Sequence, residues 1–154
     1  MKKNVMIVED SPHVRELYEQ AVEERMAFYP ETEYNIIANA ANYAEGWSAY
    51  QALQPDICLI DYSLPDKTGL SLAEEILKQN KQAHLCISVN ELERKHLSLV
   101  RQWHSDYPLA VIGVLVKPIQ PALLWSYLEK SEQALGPFEW DEEEEDWNGI
   151  SWDD

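Results

Sequence analysis

Three apolar runs in this chain stop at residues that can do chemistry. Run 5–8 ends at the acidic pair Glu9-Asp10, run 57–60 ends at Asp61, and run 111–116 ends at Lys117-Pro118. Each run reads as a buried strand that halts at a polar group. If the strands are neighbours, three carboxylates and one ammonium meet at a single sheet edge. Mg²⁺ takes oxygen ligands and keeps several waters, so Glu9, Asp10 and Asp61 would suffice to hold it. A carboxylate such as Asp61 can attack a phosphoryl group in line and become an aspartyl phosphate. Lys117 would neutralise the phosphoryl oxygens. Ser88, near the end of a further apolar run at 85–89, adds a hydroxyl for another phosphoryl oxygen.

The elements that must position these residues alternate along the chain. After Glu9-Asp10, Ser11-Pro12 supplies an N-cap and a first-turn proline. Val14, Leu17, Tyr18, Ala21 and Val22 then recur at helical spacing, and this helix is expected to stop near Phe28-Tyr29-Pro30. A second strand is expected at 34–38, and a helix capped by Asn42 runs towards Gln54-Pro55. Run 57–60 is continuously apolar, as in a strand covered on both faces. A Pro/Asp/Gly loop leads to a helix carrying Leu70, Ala73, Ile76 and Leu77. Strands at 85–89 and 111–116 flank a helix at 92–103. A last helix begins near Pro121, with Leu124, Tyr127 and Leu128 facing inward. Five strands alternating with five helices predict an α/β fold, with a parallel sheet and helices on both faces. The flavodoxin-like order 2-1-3-4-5 fits. It puts strands one and three side by side and a site at the strand C-termini.

A chain of 154 residues that is 45% hydrophobic can bury a core of its own. No apolar stretch approaches the ~20 residues of a membrane span. Met1-Lys2-Lys3-Asn4 runs straight into a strand, with neither the apolar region nor the cleavage site of a signal peptide. The expectation is a cytoplasmic protein without membrane association. Cys58 and Cys86 lie in apolar runs and read as buried thiols rather than a disulfide or zinc site. The net charge is −16, with nine acids and no base in residues 139–154. Direct nucleic-acid binding is disfavoured, because phosphates would be repelled. Gly136-Pro137 punctuates the chain, giving an expected domain at 1–135 and an acidic, aromatic tail at 136–154. Acidic runs of this kind stay disordered until bound. Trp140, Trp147 and Trp152 are the expected anchors, docking on a partner or on the fourth helix with Arg94, Lys95 and Arg101.

Taken together, these residues resemble the receiver domain of two-component response regulators over roughly residues 3–135. The resemblance puts the family's metal-binding acids on Glu9-Asp10 and its phosphoacceptor on Asp61, ahead of the loop residues Pro65 and Gly69. It puts the metal-binding backbone carbonyl on Ser63, the switch hydroxyl on Ser88, and the lysine with its cis-proline on Lys117-Pro118. It implies Mg²⁺ as cofactor, and a histidine kinase or phosphotransfer protein as phosphoryl donor. Output would pass to a downstream protein through the tail or the fourth and fifth helices. The family commonly has an aromatic residue three positions before the lysine; here Val114 stands there. The resemblance implies a stand-alone phosphoacceptor rather than an enzyme. An alternative role as phosphorelay intermediate, passing the group from Asp61 to a histidine phosphotransfer protein, uses the same residues. An aspartate-nucleophile phosphatase would need a second acid two residues after Asp61, where this chain has Ser63.

Overall fold

The apolar runs pair into one parallel sheet in the order β2-β1-β3-β4-β5. The computed structural model describes residues 1–133. Its strands are β1 (Lys2–Val8), β2 (Glu33–Ala40), β3 (Ile57–Asp61), β4 (His84–Val89) and β5 (Val111–Val116). Its helices are α1 (Pro12–Phe28), α2 (Tyr43–Leu53), α3 (Gly69–Gln79), α4 (Arg94–Asp106) and α5 (Pro121–Gln133). The domain boundary and the anchors Trp140, Trp147 and Trp152 lie outside the described residues. Among the described residues, no helix is long and apolar enough to cross a membrane.

Strand side chains point alternately to opposite faces, and the core divides accordingly. Met6, Val8, Cys58, Ile60, Leu85, Ile87, Ile112 and Val114 pack with Leu72, Ala73, Ile76, Val100 and Trp103 of α3 and α4. Val5, Ile7, Ile57, Leu59, Cys86, Val111 and Leu115 pack with Tyr18, Val22, Leu124 and Leu128 of α1 and α5. Each fully buried Leu or Ile contributes about 1.5–3 kcal/mol. Both cysteines are free and buried. Trp103 is core, whereas Trp47 packs at its margin and stacks on Tyr50.

The caps follow the sequence. The Ser11 hydroxyl accepts from the Val14 N–H, the Asn42 carbonyl from Glu45 N–H, and the Thr68 hydroxyl from Ser71 N–H. Helix α4 departs from expectation by starting at Arg94 rather than at 92. The cause is a capping box in which Glu93 serves as N-cap and the Glu93 N–H donates to His96 Nδ1 at 3.1 Å. This bond requires Nδ1 to be unprotonated.

Burial lowers the affinity of three imidazoles for protons: His84, His96 and His104, the last down to about 4. Below about pH 6.5 the unfolded chain takes up protons that these side chains refuse in the fold. Stability contributed by the neutral rings is therefore present above pH 6.5 and lost as pH falls towards 4. The urea midpoint should fall between about pH 7.5 and 5.5, and fall less in His104→Gln. Parallel curves for the two proteins would assign the loss to other groups.

Candidate functional site

Strand register brings the chemistry together. Val8 pairs with Ile60, so Glu9 and Asp61 emerge side by side where β1 and β3 end. Asp61 pairs with Ser88 on β4, and Ser88 with Leu115 on β5. The Lys117 N–H donates to the Val89 carbonyl at 2.8 Å and continues that ladder for one more residue. The sequence-expected residues Glu9, Asp10, Asp61, Ser88 and Lys117 thus gather at one sheet edge. The Lys117–Pro118 peptide is cis.

One ammonium serves two carboxylates. Lys117 Nζ lies 2.9 Å from Glu9 Oε2 and 3.0 Å from Asp61 Oδ1. Glu9 is 1% exposed and Asp61 4%. Burial would lower the Lys117 ammonium pKa, but its ion pairs with Glu9 and Asp61 outweigh that and hold it up. Burial is also the main reason the Glu9 carboxyl is raised, with the Asp61 charge adding a little and Lys117 opposing. Repulsion among clustered acids predicts a raised carboxyl here. The larger cause is desolvation.

Ligand atoms of Glu9, Asp10 and Asp61 lie within 4.8 Å of one another. Asp10 is exposed, which opens the cluster to solvent. The contact of Glu9 Oε2 with Lys117 is ionic in distance but lacks hydrogen-bond geometry, so this buried oxygen has no hydrogen-bond partner. An all-oxygen set that is open to solvent at Asp10 fits a hard divalent cation. Glu9 Oε1 is held by the Ser11 N–H at 3.1 Å, and Arg15 Nη1 donates to the Glu9 carbonyl at 3.2 Å. Ser88 Oγ sits 3.5 Å from Asp61 Oδ1, a long contact that leaves the hydroxyl available.

The loop after Asp61 is tightly built. Ser63 bridges to Thr68 across it, and the Gly69 N–H donates to the Tyr62 carbonyl at 2.8 Å. A Cβ at position 69 would overlap the Asp61 carbonyl oxygen, so only glycine lets α3 start this close to the acid. Asp66 accepts from the Tyr43 and Ala44 N–H groups at 2.8 and 3.0 Å, capping α2 from the β3–α3 loop. Sequence reasoning missed this cap, because its donors lie more than twenty positions away. It also missed the pair Tyr62–His96, whose rings meet edge to face at 4.8 Å. Through it, the residue after Asp61 touches the first turn of α4. Val114 is buried on β5 opposite Ile87.

Known proteins resemble this chain in sequence and fold. The family model described as the response regulator receiver domain matches residues 5–129. The chemotaxis protein CheY of Thermotoga maritima is 24% identical over 131 residues, covering 84% of this chain and 98% of that protein. CheY of Halobacterium salinarum is 29% identical over 61% of this chain and 73% of its own. Among solved structures, the CheX–CheY–BeF3–Mg²⁺ complex of Borrelia burgdorferi aligns with a TM-score of 0.68 at 21% identity, covering 82% of this chain and 86% of that one. CheY4 of Vibrio cholerae aligns at 0.64 and 20%, covering 85% and 99%. With its five-stranded 2-1-3-4-5 sheet and this sequence match, the chain belongs to the response regulator receiver domain family of two-component signalling.

Proposed function

We propose that this receiver accepts a phosphoryl group on Asp61 from a histidine kinase or phosphotransfer protein and signals by binding another protein. The observation that carries the reading is the placement of Asp61. It is a nearly buried carboxylate, 3.0 Å from the Lys117 ammonium and clustered with Glu9 and Asp10. In the transfer, an Asp61 oxygen attacks phosphorus while the bond from phosphorus to the donor's imidazole nitrogen breaks. The imidazole departs with the bonding pair as a neutral ring, its other nitrogen keeping the proton it carried. Lys117 then faces an added dianion, and Ser88 Oγ donates to a phosphoryl oxygen. Glu9, Asp10, Asp61 and the Ser63 carbonyl are the groups that would hold Mg²⁺, which when bound neutralises charge on the phosphoryl oxygens. The Borrelia burgdorferi relative, solved with CheX, BeF3 and Mg²⁺, supports both the metal and a protein partner.

In this reading the chain is a switch rather than an enzyme acting on a separate substrate. Residues 1–135 form the receiver, and residues 136–154, with Trp140, Trp147 and Trp152, extend its partner-binding surface. The protein works where histidine kinases deliver phosphate, in the cytoplasm.

Acetyl phosphate with Mg²⁺ should add one phosphoryl group to the protein by intact mass, and Asp61→Asn should not be labelled. Equal labelling of the variant would move the phosphoacceptor elsewhere. Asp10→Asn removes the exposed carboxylate of the cluster. Its Mg²⁺ dissociation constant by calorimetry should rise roughly tenfold, ~1.4 kcal/mol. An unchanged titration would take Asp10 out of the metal site.

A further inference from the structure

Helices α1 and α5 both start beside the phosphoacceptor edge and run back along one face of the sheet. At ~1.5 Å per residue, the 17 residues of α1 end about 25 Å away. Between the C-terminal part of α1 and the length of α5 lies an open cavity of about 440 Å³. Tyr29, Trp125, Glu31 and Glu129 line it. Phe28, on the adjoining surface, meets the Trp125 ring at 5.9 Å, and Tyr29 meets the same ring edge-on at 6.4 Å. Large hydrophobic residues seldom stay this open: Phe28 is 71% exposed and Tyr29 47%.

The rings are fixed before anything binds. Trp125 Nε1–H donates to the Ala21 carbonyl at 2.9 Å, which sets the indole against α1. The Arg25 guanidinium lies 5.0 Å over the Tyr29 ring and is held by Glu132 at 3.3 Å. This cation is buried and engaged, so the exposed charges among the lining side chains are the carboxylates Glu31 and Glu129; the Met1 ammonium, which donates to the Glu31 carbonyl at 2.8 Å, lies outside the lining. Electron-rich ring faces beside carboxylates attract a cation from two sources at once. They repel acids, so the nine-acid segment 139–154 is a poor occupant.

We propose that this aromatic cavity between α1 and α5 is a docking site for a lysine- or arginine-bearing segment of a partner protein, whose charged side chain sits between Trp125, Tyr29 and Glu129. None of the residues lining this site belongs to the Glu9, Asp10 and Asp61 cluster, so docking needs no phosphoryl group on Asp61. It would tether a basic partner that the phosphoryl-controlled end then acts on.

The test uses the full-length protein with ¹⁵N-labelled tryptophan. The probe is the blocked pentapeptide Ala-Arg-Leu-Lys-Ala; the controls carry norleucine or glutamate in place of Arg and Lys. The Trp125 indole resonance should shift saturably with the basic peptide alone. The dissociation constant should rise at least fivefold in Glu129→Gln and in Phe28→Ser, and stay unchanged in Asp61→Asn. The Phe28 and Glu129 variants alter exposed side chains, so they separate binding from folding. An equal shift with the norleucine peptide would make the cavity a general apolar site and overturn the proposal. So would contacts between Trp125 and Trp140 in the free protein, which would show the tail as occupant. A peptide response confined to other indoles, or lost in Asp61→Asn, would overturn it as well. Because the assay needs no phosphoryl group, its result does not depend on the phosphoacceptor reading.

Discussion

The contact on which the site depends is the single ammonium of Lys117 shared by Glu9 and Asp61. Two carboxylates this deeply buried and this close together would be costly without a counter-charge, because low-dielectric surroundings magnify repulsion and desolvation alike. Lys117 relieves both. It also ties β5 to β1 and β3, which do not pair with it directly in the sheet. Removing one partner of such a buried pair typically costs about 3–5 kcal/mol, because the charge left behind has no compensation. The Glu9 carboxyl is raised despite its ion pair, so burial outweighs attraction at that group.

That balance also explains the division of labour among the acids. Asp10 is exposed and bears no burial cost, so it can face an incoming cation without strain on the fold. Glu9 is anchored on both sides by the Ser11 N–H and Lys117, and keeps one oxygen without a hydrogen bond. Asp61 is fixed from behind by the close approach of Gly69. Its neighbour Tyr62 ties the loop after Asp61 to β4 through the Ser88 carbonyl at 2.8 Å, and to α4 through His96. An aromatic contact with α4 is thus made beside the acid itself, while position 114 on β5 holds Val114.

Much of this was legible in the sequence, because its determinants are local. Apolar runs ending at Glu9-Asp10, Asp61 and Lys117-Pro118 announced both the strands and the site. The expected caps at Ser11 and Asn42 sit within three residues of the N–H groups they bond. What escaped reading was non-local. Asp66 caps a helix that precedes it by more than twenty positions. His96 begins α4 through a ring nitrogen, a role at this position more often filled by a glutamate or glutamine side chain. The cavity between α1 and α5 joins the C-terminal turn of α1 to Trp125 through rings whose meeting only the tertiary fold decides.

The pairing of β1 with β2 slips by one residue between Val5 and Met6, so that Ile37 is passed over. On its other side, β1 pairs with β3 without interruption. A one-residue slip sends every later side chain of a strand to the opposite face. Had the irregularity fallen between β1 and β3, Glu9 would no longer stand beside Asp61. Placed on the outer side, the surplus residue is absorbed at the sheet's margin, and the inner strands keep step. Length can therefore drift in β2 and its connections through insertion or deletion, while β1 and β3 are locked to a fixed count. The same strand is permissive along one edge and intolerant along the other.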